Sequence, residues 1–87
     1  MSHKVLLHPD VMEYLDSLAE KERGRCYEGL KCLEQNPSYP RPKCDIKKLR
    51  GKRKTAYRLR IGEHRFTYVI KEDCVFVEEA FRRGKGY

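Results

Sequence analysis

Residues 55–70, TAYRLRIGEHRFTYVI, decide the fold. Every second side chain is apolar on both sides of the Gly62-Glu63 pair, with Tyr57, Leu59 and Ile61 before it and Phe66, Tyr68 and Ile70 after it. A period of two is typical of a half-buried strand, and Gly followed by one residue suits the type II′ turn of a two-residue hairpin. The segment therefore predicts two antiparallel strands joined by a tight turn.

The short turn also predicts which residues of the hairpin face each other. Counting outward from it gives the pairs Ile61–His64, Arg60–Arg65, Leu59–Phe66, Arg58–Thr67 and Tyr57–Tyr68. Paired residues share a face, so one face is apolar and the other carries Arg58, Arg60 and Arg65 with no acid between them. Opposed like charges destabilise a sheet by up to ~1 kcal/mol, which favours an anionic ligand on this face.

The segments around the hairpin predict an α+β fold. A short first strand over residues 3–7 precedes two helices, one with an apolar stripe at Val11, Tyr14, Leu15 and Leu18, and one over residues 20–35 with a stripe at Cys26, Leu30 and Leu33. A Pro-rich connector over residues 37–43 leads to a strand over residues 46–49 and a charged turn over residues 50–54. We expect a short N-terminal strand, a two-helix hairpin and a three- to four-stranded antiparallel sheet.

The last strand is predicted over residues 74–80. If Glu72-Asp73 forms another two-residue loop, Ala80 opposes Arg65 and Arg82 lies diagonally beside it. Arg82 would then join the cationic face of the hairpin.

Length and charge restrict the possible functions. With 87 residues, the chain has room for one small domain, residues 1–87, and for no cleft between domains, which excludes most metabolic enzymes. Residues 41–87 hold fifteen basic and six acidic side chains, whereas residues 1–40 hold five and seven. The positive electrostatic field of residues 41–87 favours a polyanionic partner such as nucleic acid. Candidate RNA-binding cations outside the hairpin are Lys47, Lys48, Arg50, Lys52, Arg53, Lys54, Arg83 and Lys85.

Cysteine and histidine spacing argues against cross-links and metals. Cys26, Cys32, Cys44 and Cys74 form no C-x-x-C motif, and we expect all four to be reduced thiols. His3, His8 and His64 lack the i, i+4 spacing of a helical metal site, so neither a metal nor a cofactor is expected. With no apolar run of the ~20 residues that span a bilayer and no signal peptide, the prediction is a cytoplasmic protein without a membrane partner.

The order of these elements and one run of residues resemble the RelE family of toxins, within the wider RelE/ParE superfamily. The run comprises Leu49-Arg50-Gly51, Tyr57-Arg58-Leu59-Arg60 and Arg65-Phe66-Thr67-Tyr68, and the chain ends in Arg82 and Tyr87. The resemblance implies a toxin of a type II toxin–antitoxin pair. It also implies a ribosome-dependent endoribonuclease that cleaves mRNA in the decoding site by 2′-hydroxyl attack, without a metal. The implied partners are a cognate RelB-like antitoxin, in a hetero-oligomer with the toxin, and the ribosome with its mRNA.

The resemblance further implies roles for individual residues. Arg58 and Arg60 occupy positions where the best-known members have lysines, and Arg65 matches the arginine that stabilises the transition state. Arg82 matches a proposed general acid, although the shorter spacing to the end of the chain allows Arg83 in its place. Tyr87 matches a tyrosine that stacks on the substrate base.

The arginines keep other functions open. Arginine is a very poor general base because its pKa lies above ~12, so catalysis would be mainly electrostatic. His64 pairs with Ile61 on the opposite face and is not a candidate base. A ParE-like inhibitor that binds DNA gyrase and a catalytically weak nucleic-acid-binding relative are the alternatives.

Overall fold

The computed structural model describes residues 2–49 and 55–84. Two helices and a short 3₁₀ helix pack on one face of a five-stranded sheet. The helices are α1 (Pro9–Asp16) and α2 (Glu20–Leu30), and the 3₁₀ helix (Lys31–Glu34) continues α2. The strands are β1 (Lys4–Leu7), β2 (Asp45–Leu49), β3 (Ala56–Ile61), β4 (His64–Lys71) and β5 (Cys74–Arg82).

The sheet is mixed and has the order β1-β5-β4-β3-β2. Strands β2 to β5 are antiparallel neighbours, as the α+β prediction requires, whereas β1 pairs with β5 in parallel. The helical segment between β1 and β2 lets β1 reach the far edge of the sheet. The α+β fold class predicted from the sequence is confirmed. The four antiparallel strands are joined by β1 as a fifth strand, which is parallel to β5.

Both helices begin at the positions that the sequence predicts, and the residues that they bury are the predicted ones. Pro9 stands at the first position of α1, and Nδ1 of the preceding His8 accepts a hydrogen bond from the Asp10 amide at 3.0 Å. The core lies between the helices and one face of the sheet, and its buried members include Val11, Leu15, Cys26, Leu30, Leu33, Leu59, Phe66 and Tyr68. None of the helices in residues 2–49 and 55–84 is long and apolar enough to cross a membrane.

The predicted hairpin register is confirmed pair by pair. Leu59 opposes Phe66, Arg60 opposes Arg65 and Ile61 opposes His64. Gly62 takes a φ of 59° in the turn, a conformation that costs glycine no steric penalty. The apolar face of the hairpin packs against the helices, and the arginine face points away from them.

The predicted register between β4 and β5 is wrong. Residues 72 and 73 do form a two-residue loop, because Lys71 pairs with Cys74. A bulge opposite Thr67 and Tyr68 then shifts the pairing by one residue, so that Phe81 opposes Arg65 and Arg82 opposes His64. Because a one-residue slip exchanges the two faces of a strand, Ala80 and Arg82 lie on the helix side of the sheet.

The prediction of four reduced cysteines is also wrong. Cys32 in the 3₁₀ helix and Cys44 before β2 form a disulfide, with their Cα atoms 5.9 Å apart. Cys26 and Cys74 are free thiols. Burial raises the pKa of Cys26 to about 11, so this thiol is unreactive at neutral pH.

Candidate nucleic-acid interface

The arginine face of the hairpin is the open face of the sheet. Arg58 and Arg60 of β3 and Arg65 of β4 share it, and Lys47 of β2, directly opposite Arg58, extends it. The described helices pack against the other face, through contacts such as the edge-to-face stacking of Tyr14 on Phe66. Four cations on a surface that none of the described helices covers form a cationic face that can hold the backbone of a polyanion.

An acid does stand within this face, against the sequence prediction. Asp45 lies opposite Arg60 in the β2–β3 ladder, and its carboxylate oxygens contact Arg60 Nε at 2.9 Å and Arg58 Nη2 at 3.2 Å. The carboxylate therefore relieves part of the repulsion that the opposed arginines would otherwise feel. It also orients both guanidinium groups on the surface.

Arg58 and Arg60 differ in exposure. Of the Arg58 side chain, 15% is exposed, compared with 54% for Arg60. Arg58 Nε is buried and has no hydrogen-bond partner among the described residues. An unsatisfied buried donor costs ~1–3 kcal/mol, and the ion pair of Arg58 with Asp45 offsets part of that cost.

Arg65 is anchored by the hairpin turn. Its Nη1 donates to the carbonyl of Gly62 at 2.8 Å and to that of His64 at 3.3 Å. Both acceptors are backbone carbonyls, and no acidic side chain of the described residues forms a hydrogen bond or ion pair with Arg65. Of the three hairpin arginines, it is the one whose charge is best placed to meet an external anion.

The bulge separates Arg82 from the other arginines. Arg82 opposes His64 on the helix side of the sheet. Arg83 follows Phe81, the partner of Arg65, by two residues, and its amide donates to the Glu63 carbonyl at 2.7 Å. The bulge thus removes Arg82 from the cationic face, whereas Arg83 lies in the turn after β5, where its amide is bonded to the hairpin turn.

The remaining predicted RNA-binding residues fall into two groups. Lys48 is exposed but opposes Tyr57, and so belongs to the helix side of the edge strand, in contrast to Lys47. The other five lie outside the described residues: Arg50, Lys52, Arg53, Lys54 and Lys85. Tyr87, predicted as the base-stacking residue of the catalytic site, also lies outside them.

His64 lies on the helix side, as the hairpin register predicts. It is 3% exposed, and its ring nitrogens contact the Tyr14 hydroxyl at 2.6 Å and Glu22 Oε2 at 2.5 Å. The hydrogen bond with His64 lowers the pKa of Glu22, while burial raises that of Tyr14. These contacts connect β4 with α1 and α2, which gives His64 a structural role.

Sequence reasoning missed both Asp45 and the bulge, although the sequence carries a signal for each. Asp45 is the single acid among the ten basic residues between positions 41 and 60, so an ion pair inside the cluster could have been expected. Glu78-Glu79 places two polar residues between Val77 and Ala80, which interrupts the alternation where β5 bulges.

Comparisons with known proteins agree with this fold. No protein-family model matches the sequence. The chain is 33% identical over 89 residues to RelE1 of Methanocaldococcus jannaschii, and the alignment covers 100% of this chain and 97% of the relative. Among solved structures, the archaeal RelE–RelB complex from Pyrococcus horikoshii OT3 has a chain that matches with a TM-score of 0.81 and 30% identity, covering 99% of this chain and 100% of that chain.

Two more distant structures share the fold. A chain of the RelB–RelE antitoxin–toxin complex from Methanococcus jannaschii has a TM-score of 0.68 and 21% identity, covering 88% of each chain. The YoeB dimer from Staphylococcus aureus has a TM-score of 0.70 and 20% identity, covering 91% of this chain and 94% of that one. Fold and cationic face thus define a small basic protein of the RelE-like class. With its full-length match to RelE1, the chain belongs to the RelE family, and it is the toxin of a toxin–antitoxin system.

Proposed function

We propose that this toxin is a ribosome-dependent endoribonuclease that cleaves mRNA in the decoding site. The supporting observation is the cationic face, where Arg58, Arg60 and Arg65 lie together on an open sheet surface. In the reaction, the 2′-hydroxyl of one nucleotide loses its proton and attacks the adjacent phosphorus. The bond to the 5′-oxygen of the next nucleotide breaks, and that oxygen gains a proton.

The arginines contribute to this reaction by binding charge. Negative charge builds on the phosphate oxygens as the pentavalent phosphorane forms, and fixed guanidinium groups stabilise it without reorganisation. Arg65 is the central donor, since the turn carbonyls orient it and no acid neutralises it among its described contacts. We assign to Arg83 the role that the family resemblance gives to Arg82, because the bulge places Arg82 on the helix side and the Arg83 amide is bonded to the hairpin turn that also anchors Arg65.

The Asp45 ion pairs favour a second candidate, a nucleic-acid-binding relative with weak catalysis. A carboxylate that already holds Arg58 and Arg60 competes with the phosphate for both groups. Because the phosphorane carries more negative charge than the ground state, it competes better than the substrate for the same arginines. This difference makes cleavage the preferred proposal.

Primer extension on mRNA from ribosomes exposed to the purified toxin tests the proposal. We expect discrete cuts with the parent protein, and a loss of about 10²–10³ in rate for Arg65→Ala, comparable to the deletion of an oxyanion-hole donor. Leu59→Ala is the matched control on the buried face, where it should cost ~2–5 kcal/mol of stability through a cavity. Absence of cuts with the folded parent would reject cleavage, and inhibition of gyrase instead would indicate the ParE-like function.

We also propose a cognate RelB-like antitoxin as the protein partner. The Pyrococcus horikoshii relative is a RelE–RelB complex. On the same sheet face as Arg65, Leu6, Val69 and Phe76 line an apolar groove of about 890 Å³. An amphipathic segment with acidic and apolar side chains would complement both the cations and the groove.

A further inference from the structure

A cleft lined by basic residues adjoins the cationic face at the edge of the sheet. It is a cleft of about 570 Å³ between α2 and the end of the β2–β3 ladder. Arg25 and Glu28 line it from α2, and Lys43, Asp45 and Arg60 line it from the other side. Arg60 belongs both to this cleft and to the cationic face, so the two surfaces are continuous.

The cleft has walls that are fixed by covalent and backbone contacts. The wall at Lys43 is held by the Cys32–Cys44 disulfide and by the paired amide and carbonyl groups of Arg41 and Cys44, at 2.9 and 3.1 Å. Lys43 itself takes a φ of 68°, an uncommon conformation for a residue with a side chain. The backbone that carries Lys43 therefore needs little ordering when a ligand binds.

The opposite wall is fixed by close packing between α2 and the hairpin. A Cβ atom at Gly29 would lie 2.5 Å from Ile61 Cδ1, so the glycine allows the helix to approach β3. One turn earlier on α2, Arg25 places Nη1 3.5 Å from the position of a Cβ at Gly62. Its guanidinium group therefore lies beside the hairpin turn, next to the mouth of the cleft.

Two cations of the cleft, Arg25 and Lys43, make no ion-pair contact in the described chain, although the charge of Arg25 acts at longer range on Glu22. Asp45 binds Arg58 and Arg60, and Glu28 Oε2 lies 3.2 Å from Lys31 Nζ. Within residues 2–49 and 55–84, neither Arg25 nor Lys43 takes part in a side-chain hydrogen bond or ion pair. Both carboxylates of the cleft are thus occupied, while two of its cations are available.

We propose that this cleft binds a backbone phosphate of the RNA substrate, one that flanks the phosphate held on the cationic face. The inference rests on the proposed RNA substrate. Ile61 is the one large apolar side chain among the described residues that line the cleft, whereas a docked protein helix needs several apolar anchors. A strand of phosphates needs only spaced cations, and Arg60 connects the two sites.

Salt-dependent binding of a labelled single-stranded RNA, followed by fluorescence anisotropy, tests the site. Each phosphate contact contributes about 0.7 to the slope of log K against log salt for a single strand. We expect Arg25→Gln and Lys43→Gln each to reduce the slope by up to this amount, and the double variant to reduce it further. Lys4→Gln, on β1 at the opposite edge of the sheet, removes the same charge and should leave the slope unchanged.

The outcomes separate this site from the proposed activity. An unchanged slope in both cleft variants, or an equal decrease in Lys4→Gln, overturns the site even if the parent protein cuts mRNA. Decreased slopes in a protein that produces no cuts retain the site and reject the nuclease. Loss of antitoxin binding with an unchanged RNA slope would assign the cleft to the antitoxin and overturn the proposal. Urea unfolding of each variant checks that the fold is kept.

Discussion

Arg82 ends β5 on the helix side of the sheet, and Arg83 follows it in a turn, where its amide is bonded to the Glu63 carbonyl of the hairpin. Since we assign the role of transition-state donor to Arg83, we expect Arg83→Ala to lower mRNA cleavage by about 10²-fold. Arg82→Ala should leave cleavage within a few-fold of the parent, because Arg82 opposes His64 on the helix side of the sheet, away from the cationic face. Primer extension on both variants measures the difference. A greater loss in Arg82→Ala would show that the bulge does not define the active face.

The Glu22–His64 contact makes a second prediction, for the pH dependence of stability. The hydrogen bond with His64 lowers the pKa of Glu22 below its ordinary value of 4.5. A carboxyl group whose pKa is lower in the folded state stabilises the fold above the unfolded pKa, and this stabilisation is lost as pH falls through the folded pKa. We therefore expect that, as the pH is lowered from about 4.5, the urea midpoint of the parent decreases more steeply than that of Glu22→Gln.

Glu20→Gln is the matched control for this measurement. It removes the same charge from the same first turn of α2, and so has a similar effect on the helix dipole. If Glu20→Gln and Glu22→Gln reduce the dependence of the urea midpoint on acidic pH equally, the contact with His64 does not supply this dependence.

At the scale of elements, the sequence predicts local pairing better than pairing across a bulge. The β3–β4 register followed from alternation and from Gly62, which together allow a single way to pair the strands. The β4–β5 register depends on the bulge opposite Thr67 and Tyr68, and counting from the turn cannot include a residue that leaves the ladder. The Cys32–Cys44 pair was missed for a related reason, since the cysteines are twelve positions apart in the chain and only the folded connector brings them together.

The two glycines of α2 have different surroundings and allow a matched test of helix packing. A Cβ at Gly24 would meet nothing within 4 Å, so Gly24→Ala should stabilise the protein by ~0.5–1 kcal/mol through helix propensity. At Gly29 the same atom would overlap Ile61, and overpacking costs ~1–3 kcal/mol, which cancels or exceeds the propensity gain. Chemical denaturation of the two variants checks the difference, and equal stabilisation would contradict the close approach of α2 to β3.

The disulfide should contribute to stability through the loop that it closes. For a sequence separation of 12, the chain-entropy model gives about 3 kcal/mol. We expect Cys32→Ser, or addition of a reductant to the parent, to lower the free energy of unfolding by about this amount. Cys74→Ser, which removes a free thiol, should have little effect. Alkylation in denaturant without reductant should modify two thiols, and modification of four would show that the bridge is absent in solution.

At the scale of the whole molecule, the charge asymmetry predicts a polyanionic partner, which stays a prediction, but it does not predict the arrangement of the site. The basic excess of residues 41–87 is visible in the sequence, and in the structure β2, β3 and β4 of that half display Lys47, Arg58, Arg60 and Arg65 on one face. The sequence could not show that Arg41 in the same run is structural, donating to the carbonyls of Cys32, Gln35, Asn36 and Tyr39. It also could not show that Arg25, from the acidic half, approaches the hairpin turn, because that contact depends on packing of α2.

The same asymmetry predicts that antitoxin binding depends on salt. An acidic antitoxin segment that covers the cationic face gains much of its attraction from exposed charges such as Arg60, and added salt screens such charges. We expect calorimetric affinity for the product of the neighbouring antitoxin gene to fall between about 50 and 300 mM salt. Arg60→Gln should reduce this salt dependence, whereas Phe76→Ala, in the apolar groove of the same face, should lower affinity similarly at both salt concentrations. Binding that is independent of salt, or no binding at low salt, would contradict the assignment of this face to the antitoxin.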